Sequence, residues 1–395
     1  MTEGLLMTEK KTIYLDNSAT TSLSEAAKNK MTEAFDLFGN PSSLHNEGLK
    51  AQRLVDEARK SILNALGVKN GGQLVFTSCG TEATSLALFG SAFAKERREA
   101  TRILTTDSEH PSVSEAMKRL EKEGFEIVYI PTKNGVLDMN ALEAALDKRI
   151  FLASFMMVNN ETGAAYDVAR AFSLIKQKYP SAITHCDAVQ GFMKIRFTPE
   201  KLKADLVTIS GHKLHAPKGI GALYISNEMI KAKKIVPFLV GGGQESGMRS
   251  GTENVLGIAA FGAAVADTYS RLGTVITEMR ELLDYARERI GELDVKLNIP
   301  KGESAPHILN ITLPSIKSET MLHYLSREGI YVSSGSACSS HSRTPSRALT
   351  SFGLDAHSVD CSLRISFSEY STKADIDALA IALKEGINTL VKIRK

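Results

Sequence analysis

Short apolar runs alternate with helical patterns along the first half of this chain, and this alternation is its most restrictive feature. The runs are rich in β-branched residues and lie at 73–77, 102–106, 125–130, 150–158, 183–189 and 205–210. Between most of them, apolar residues recur at helical spacing, as in "GLKAQRLVDEARKSILNALG" and "TEATSLALFGSAFAKERR". Strands that alternate with helices form a mainly parallel sheet with helices on both faces. We therefore predict an α/β fold, in which ligands bind beyond the carboxyl ends of the strands.

The remainder of the chain predicts a second, smaller unit. A glycine cluster at 241–247 precedes a long helical stretch, roughly 255–294, which opens with the apolar run "VLGIAAFGAAVA". Strand-like segments follow as "HILNITL", "YVSSGSAC" and "SLRISFS", a mixture typical of a small α+β domain. We place the large domain at 22–265 and the small domain at 1–21 together with 266–395.

Composition argues against several classes of function. The 395 residues carry 48 basic and 45 acidic side chains, and a net charge of +3 is too small to favour nucleic acid or a membrane as partner. The longest apolar run is shorter than the ~18 residues that span a bilayer. The four cysteines are too scattered for a disulfide framework. Because we also expect no export signal at the N-terminus, we predict a cytoplasmic enzyme.

The segment "DLVTISGHKLHAPKGIGALYI" (205–225) is the strongest catalytic pattern. It predicts a strand that ends in Ser210-Gly211-His212-Lys213, followed by a Pro/Gly turn and a second strand. A lysine held at a strand end among hydroxyl and imidazole groups can form a Schiff base with a carbonyl compound. The pKa of its ammonium group must fall before the amine can attack, and lysine responds readily to burial. A solvated surface lysine is the alternative interpretation.

Asp187 closes the apolar run in "ITHCDAVQG", where an unpaired carboxylate would be costly. A buried acid there needs a cationic partner, and the protonated pyridine nitrogen of a pyridoxal cofactor is one such partner. Gln190, three residues further on, could hydrogen-bond the phenolic oxygen of the same cofactor. For Asp187 taken alone, an aspartate that caps the N-terminus of a helix is an equally good interpretation.

Two strand-to-helix junctions carry further candidates. In "FTSCGTEATS", a turn that opens a helix presents backbone N–H groups to a phosphate, and Gly80 and Thr81 would make the contacts. A Walker sequence is absent, and no G-x-G-x-x-G follows a strand, so a dinucleotide fold has little support. His110 stands at the second junction, in "DSEHPSV", where an imidazole can stack on a planar ring or relay a proton. An incidental loop histidine is the alternative.

The stretch "YVSSGSACSSHSRTPS" (331–346) places Cys338 among serines and glycine. A buried structural cysteine packs against apolar side chains, so we expect this thiol to be exposed, mobile and reactive. An unreactive surface thiol is the plain alternative. Zinc is another, because Cys338-x-x-His341 and His357-x-x-x-Cys361 have the spacing of ligands. A chain of this length needs no zinc to fold, and we predict no metal site.

Together these segments resemble the cysteine desulfurases of the class V aminotransferase group, the pyridoxal-phosphate enzymes typified by NifS and IscS. The resemblance runs nearly from end to end, through "IYLDNSATT", "FGNPSSLHNEG", "FTSCGTE", "SEH", "VNNETG", "HCDAVQ", "SGHK" with "PKGIGALY", "GGGQESGMRSGTEN", "SSGSAC" and "SLRISFS". "SSGSAC" followed by a long segment resembles the IscS-like subgroup. The resemblance implies fold type I, the aspartate aminotransferase-like fold, with a mainly parallel seven-stranded sheet in the large domain and a smaller α+β domain.

The resemblance also implies a role for each matching residue. Lys213 would hold pyridoxal 5'-phosphate covalently and then move the α-proton of the substrate. Cys338 would attack the sulfur of L-cysteine, which leaves a persulfide on the enzyme and releases L-alanine. Asn160 and Arg364 would bind the substrate carboxylate, a task that suits the guanidinium fork. The other cofactor contacts would be Asp187 at the pyridine N–H, Gln190 at the phenolic oxygen, His110 stacked on the ring, Gly80, Thr81, Ser210 and His212 at the phosphate, and Thr252 at the phosphate of the neighbouring subunit in an obligate homodimer.

Three functional hypotheses remain open. The first is a cysteine desulfurase that passes sulfur to an acceptor protein, either an iron–sulfur scaffold or a tRNA-thiolation enzyme. The second is a related enzyme, a selenocysteine lyase or an aminotransferase, although an aminotransferase needs no cysteine in "SSGSAC". The third is a non-catalytic scaffold for sulfur-transfer partners. The joint retention of Lys213, Asp187, His110 and Cys338 argues against the third.

Several residues depart from the usual pattern of the family, namely Cys79, Ser85, His215, Ala216 and Ser246. They flank the implied chemistry without removing any part of it. We expect them to affect rate and phosphate affinity and to leave the type of reaction unchanged.

Overall fold

The computed structural model describes residues 12–69, 71–94, 100–334 and 345–392, which contain fourteen strands and fourteen α-helices. The strands are β1 (Ile13–Tyr14), β2 (Gln73–Thr77), β3 (Arg102–Thr106), β4 (Glu126–Ile130), β5 (Ile150–Met156), β6 (Ala164–Ala165), β7 (Ile183–Asp187), β8 (Leu206–Ser210), β9 (Gly221–Ile225), β10 (Lys296–Leu297), β11 (Glu303–Ser304), β12 (Ile308–Thr312), β13 (Ile330–Tyr331) and β14 (Ser362–Ser366). The helices are α1 (Glu25–Ala34), α2 (Asn46–Ala65), α3 (Gly80–Ala92), α4 (Pro111–Lys122), α5 (Met139–Ala145), α6 (Val168–Lys178), α7 (Pro199–Leu202), α8 (Asn227–Lys231), α9 (Val255–Ser270), α10 (Leu272–Gly291), α11 (Ser318–Arg327), α12 (Arg347–Phe352), α13 (Ala356–Asp360) and α14 (Lys373–Thr389).

A seven-stranded sheet in the order β2-β9-β8-β7-β5-β3-β4 forms the centre of the larger unit. Five neighbouring strands, from β8 to β4, pair in parallel, and β9 pairs antiparallel with both β2 and β8. Strands β7, β8 and β9 are buried along their whole length, as parallel sheets covered on both faces require. The α/β architecture and the mainly parallel seven-stranded sheet predicted from the sequence are confirmed.

The β-branched runs predicted as strands are all strands, as the β-branched and aromatic residues in them favour. The runs at 73–77 and 102–106 match β2 and β3, and the other four differ from the structure by one or two residues at an end. The predicted helical stretch at 255–294 is instead two helices, α9 and α10, separated at Arg271. Arg271 forms an ion pair of 2.6 Å with the carboxylate of Glu369, a contact that local sequence does not reveal.

The smaller unit is built around the antiparallel sheet β10-β12-β14. The N-terminal strand β1 joins it through parallel pairing with β13, and Asp16 bridges to Ser366 at the end of β14. Its own core includes Leu283 of α10, Leu309 of β12 and Ile365 of β14, and α11 and α14 also contribute buried residues to it. The α+β character predicted for the small domain is therefore present, and the domain limits at 22–265, 1–21 and 266–395 stay a prediction.

The carboxyl ends of the parallel strands meet at one edge of the central sheet, and the small unit lies next to this edge. Residues that directly follow β2, β5, β7 and β8 therefore converge there. In the part of the chain that the structure describes, no helix has the length and apolar character needed to cross a membrane.

Candidate active site

A cavity of about 230 Å³ lies at the carboxyl edge of the central sheet. It gathers residues from segments that are far apart in the sequence, which is typical of ligand sites in sheets of this kind. All predicted site residues within the described ranges lie at this cavity except Thr252. The lining residues are Ser18, Ala19, Cys79, Gly80, Thr81, His110, Ser112, Met156, Val158, Asn160, Asp187, Val189, Gln190, Ser210, His212, Lys213 and Arg364.

Lys213 ends a short 3-10 turn, Gly211–Lys213, that directly follows β8. Its Nζ donates hydrogen bonds to two backbone carbonyls, those of Ser18 at 2.6 Å and Ala19 at 2.8 Å. The carbonyl of Lys213 in turn accepts a hydrogen bond of 2.6 Å from the buried ammonium group of Lys194. The lysine is thus fixed at the cavity from both its side chain and its backbone, as a residue that forms a covalent bond to a ligand requires.

Asp187 is the last residue of β7 and is 6 % exposed. Its Oδ1 accepts a hydrogen bond of 3.0 Å from the backbone N–H of Val189. Burial raises the pKa of Asp187 to about 6, although this hydrogen bond and the charge of Lys213 both oppose the shift. No helix follows the strand, so the N-cap interpretation of Asp187 is wrong. A cationic group of a ligand would stabilise the ionised form of this carboxyl group.

The N-terminus of α3 forms one end of the cavity, with Gly80 and Thr81 in its first turn. The hydroxyl oxygen of Ser210 is buried beside it and has no hydrogen-bond partner within the described ranges. A Cβ on Gly80 would lie 3.2 Å from the Cβ of Ser210, so glycine keeps this end open. His212 borders the same cavity and its Nδ1 lies 3.3 Å from Thr20 Oγ1. Helix N–H groups, a free hydroxyl and an imidazole together suit a phosphate.

His110 precedes α4 and caps its N-terminus, since its Nδ1 accepts a hydrogen bond of 3.1 Å from the backbone N–H of Ser112. Burial and the nearby charge of Lys213 lower the pKa of His110 to about 4. The imidazole is therefore neutral near pH 7 and is held in a fixed orientation at the cavity. A neutral ring of this kind can stack on a planar ligand.

Arg364, in β14, brings the small unit into the cavity. It is 2 % exposed, its Nη1 donates to the carbonyl of Asn160 at 3.0 Å, and its Nη2 contacts Asp16 Oδ1 at 2.7 Å. Its Nε is buried without a hydrogen-bond partner among the described residues. A charged donor of this kind, fixed on two sides, can bind a carboxylate.

Sequence reasoning missed three kinds of residue at this site. It gave no role to the Ser18 and Ala19 carbonyls or to Asp16, although all lie in or beside the quoted motif "IYLDNSATT". It also overlooked Glu109, whose Oε1 accepts hydrogen bonds from Thr106 Oγ1 at 2.8 Å and from the backbone N–H of Met156 at 2.9 Å. Burial raises the pKa of Glu109 to about 8, so this acid is largely protonated near pH 7. The signal in the sequence was the position of Glu109 shortly after the strand-like run at 102–106.

Two predicted site residues remain to be placed. Thr252 is exposed, and its predicted contact with a neighbouring subunit stays a prediction. Cys338 lies outside the described residues, together with His341. The described cysteines Cys79, Cys186 and Cys361 carry free thiols. Within 12–69, 71–94, 100–334 and 345–392, no group of three or more His, Cys, Asp or Glu side chains is arranged to hold a metal ion.

The residues of the cavity fit pyridoxal phosphate. The helix N-terminus and the unpartnered Ser210 hydroxyl suit its phosphate, and Asp187 suits the N–H of its ring. Lys213 supplies the amine that a Schiff base to its aldehyde requires.

Comparisons with known proteins agree with this fit. The class-V aminotransferase family matches residues 13–379. A cysteine desulfurase from Trichormus azollae is 37% identical over 382 residues, which are 96% of this chain and 93% of that protein. The cysteine desulfurase IscS from Dictyoglomus turgidum is 38% identical over 387 residues, 96% of each chain. A solved NifS-like protein superimposes with a TM-score of 0.89 at 34% identity and covers 96% of this chain and 100% of its own, which confirms fold type I. This chain therefore belongs to the class-V aminotransferase family, in its cysteine desulfurase group, and pyridoxal phosphate is its cofactor.

Proposed function

We propose that this desulfurase acts on L-cysteine, releases L-alanine and keeps the sulfur as a persulfide on Cys338. The observation that carries the proposal is the convergence of Lys213, Asp187 and Arg364 on one cavity. Lys213 supplies the amine for the Schiff base, Asp187 a buried carboxylate for the ring nitrogen, and Arg364 a cation for the substrate carboxylate. A pyridoxal-phosphate enzyme that acts on an amino acid needs all three groups.

Arg364 supports an amino acid as substrate. Its guanidinium group is already held by Asp16 and Asn160, so it loses little conformational freedom when a carboxylate binds. The buried Nε without a partner among the described residues is the donor that the carboxylate would satisfy. Because Asn160 holds one arm of the fork through its backbone carbonyl, its own side chain is left to line the cavity.

Lys213 and its neighbours support proton transfer at the substrate α-carbon. Pyridoxal phosphate, when bound, supplies an electron sink that weakens the bonds at the α- and β-carbons of the substrate. Lys213 Nζ would remove and return the α-proton. Asp187 would keep the ring nitrogen protonated, because its buried carboxylate is stabilised by a neighbouring positive charge. The neutral imidazole of His110 would stack on the ring, and Gln190 would donate to its phenolic oxygen.

The position of Cys338 in the chain supports its proposed role as nucleophile. Ser333, five residues earlier, exchanges backbone hydrogen bonds of 3.1 and 2.8 Å with Arg364. Five residues span at most about 18 Å, so this length of chain allows the thiol to reach the cavity. The Cys338 thiolate would attack the substrate sulfur and form an S–S bond while the Cβ–S bond breaks. The electron pair of that bond stays with the substrate carbon, which takes up protons and leaves as L-alanine.

The persulfide then needs an acceptor, which we propose to be an iron–sulfur scaffold or a tRNA-thiolation enzyme. We further propose a homodimer in which Thr252 reaches the phosphate of the neighbouring subunit, supported by the exposure of Thr252 in the single chain. A cytoplasmic location is supported by the free thiols of Cys79, Cys186 and Cys361, which persist in a reducing compartment.

The test is a comparison of Cys338→Ala with Cys361→Ala in the presence of pyridoxal phosphate and L-cysteine. Cys361 is a buried thiol outside the cavity and serves as the matched control. We expect Cys338→Ala to keep the absorbance of the bound cofactor and to lose persulfide formation and alanine release, whereas the control keeps both. A Cys338→Ala enzyme that turns over L-cysteine at the normal rate would refute the nucleophile.

A further inference from the structure

A buried histidine, His307, lies behind the cavity where the two units of the fold meet. It directly precedes β12 of the small unit and is 0 % exposed. Its Nε2 lies 3.2 Å from the side-chain oxygen Oε1 of Gln190, which follows β7 of the large unit and lines the cavity. The contact therefore joins the small unit to a residue that lines the cavity.

The contacts of Gln190 fix which end of its amide faces which neighbour. The nitrogen Nε2 of Gln190 lies 2.9 Å from the carbonyl oxygen of Ser18. A carbonyl only accepts hydrogen bonds, so it must face the amide nitrogen, and the amide oxygen must then face His307. Consequently His307 must donate from Nε2. One N–H of the Gln190 amide is used by Ser18, and its second N–H remains for the cavity.

His307 is a hydrogen-bond donor whose protonation to the charged form is opposed by burial. Burial, together with the nearby charges of Lys194, Arg364 and Lys213, holds the pKa of His307 well below its usual range. A neutral imidazole with its proton on Nε2 has an acceptor at Nδ1. This Nδ1 is buried and has no hydrogen-bond partner in the described part of the chain. A buried acceptor without a partner is destabilising, so Nδ1 gives the ring no stabilising contact and its hydrogen bond to Gln190 is made through Nε2.

We propose that His307 is a positioning residue that holds the Gln190 amide so that an N–H, and never the amide oxygen, faces the phenolic oxygen of the cofactor. The proposal rests on the role proposed above for Gln190. A donor at this oxygen stabilises its anionic form, and an acceptor there would destabilise it. His307 thus sets the protonation of the bound cofactor from outside the cavity.

The test measures the pH midpoint at which the visible absorbance of the pyridoxal-phosphate-loaded enzyme titrates, without substrate. The variants His307→Leu, His307→Asn and His307→Gln differ in the donor they retain. A glutamine amide nitrogen can occupy the place of Nε2, whereas that of asparagine occupies the place of Nδ1. We expect His307→Leu and His307→Asn to raise the midpoint by at least about 0.5 pH unit, and His307→Gln to restore it.

Gln190→Ala provides the reference for coupling. It should raise the midpoint by itself, and adding His307→Leu to it should cause no further shift, because the histidine acts through the glutamine. If Gln190→Ala shifts the midpoint and none of the His307 variants does, the positioning role is wrong and the role of Gln190 stands. If Gln190→Ala causes no shift, both are wrong. Neither result depends on desulfuration, which alanine release from L-cysteine measures separately.

A measurement on the unaltered enzyme covers variants that fail to fold. NMR of isotope-labelled histidine distinguishes a ring protonated at Nε2 from one protonated at Nδ1. We expect the histidine ring that lies next to the Gln190 amide to carry its proton on Nε2 and not to titrate between about pH 6 and 9. If the ring next to the Gln190 amide carried its proton on Nδ1 alone, the proposal would be overturned.

Discussion

Replacing Arg364 with lysine would keep a positive charge in the cavity and remove the planar fork of donors. In the structure the guanidinium group donates to the Asn160 carbonyl at 3.0 Å and to Asp16 at 2.7 Å, and its Nε remains for a ligand. A lysine has a single charged nitrogen. If that nitrogen keeps the contact with Asp16, it can no longer serve both Asn160 and a substrate carboxylate with good geometry.

The magnitude follows from the contacts that are lost. A hydrogen bond to a charged group contributes about 1.5–3 kcal/mol, and the substrate carboxylate would lose the one that Nε donates. A net loss of about 2–3 kcal/mol corresponds to a roughly 30- to 150-fold fall in kcat/KM for L-cysteine. Since the carboxylate is bound equally in the ground and transition states, most of the change should appear as a higher KM.

The assay is alanine release from L-cysteine over a range of substrate concentrations, with Arg289→Lys as control. Arg289 also contacts an aspartate, with Nε 3.0 Å from Asp377 Oδ1, but it is partly exposed and distant from the cavity. The control should stay within about twofold of the unaltered enzyme, because exposed ion pairs contribute little. An Arg364→Lys enzyme with an unchanged KM and a normal thermal stability would refute the assignment of Arg364 to the substrate carboxylate.

Three further predictions concern the cofactor. Burial raises the pKa of Asp187 to about 6, above its unfolded value near 4, so ionisation destabilises the cofactor-free fold as pH rises between these values. The free energy of urea unfolding should therefore be up to about 3 kcal/mol higher for Asp187→Asn than for the unaltered protein above pH 6, and equal to it at pH 4. An equal difference at both pH values would contradict the shift. Lys213→Ala should bind pyridoxal phosphate without covalent attachment, so borohydride treatment should fix no label. Gly221→Ala would place a Cβ 2.6 Å from the Cys79 carbonyl carbon and 2.9 Å from the Gly80 nitrogen. It should weaken pyridoxal phosphate binding at least about tenfold, as measured by absorbance titration. Gly291→Ala is the control that should bind normally, because its Cβ would meet only Leu297 at 3.6 Å.

The strands of the central sheet were predictable because buried strands consist of continuous apolar, β-branched runs that local sequence shows directly. Strands covered on both faces are continuous β-branched runs, so β2 and β3 were located to the residue. The same rule located Lys213 and Asp187, since ligands bind beyond the carboxyl ends of parallel strands and both residues lie at such ends. The division of 255–294 into two helices was missed, and Arg271 at the break contacts Glu369, a residue that is distant in sequence.

The sequence by itself determined the class of fold, the family and the identity of the groups that carry the chemistry, because these depend on residue type, spacing and strand ends. Only the tertiary structure decided how those groups are held. Arg364 is oriented by Asp16 and Asn160, and Gln190 by Ser18 and His307, through contacts that join both units of the fold. Hydrogen bonds of this kind depend on where distant segments meet in space, and the spacing of residues along the chain carries no record of them.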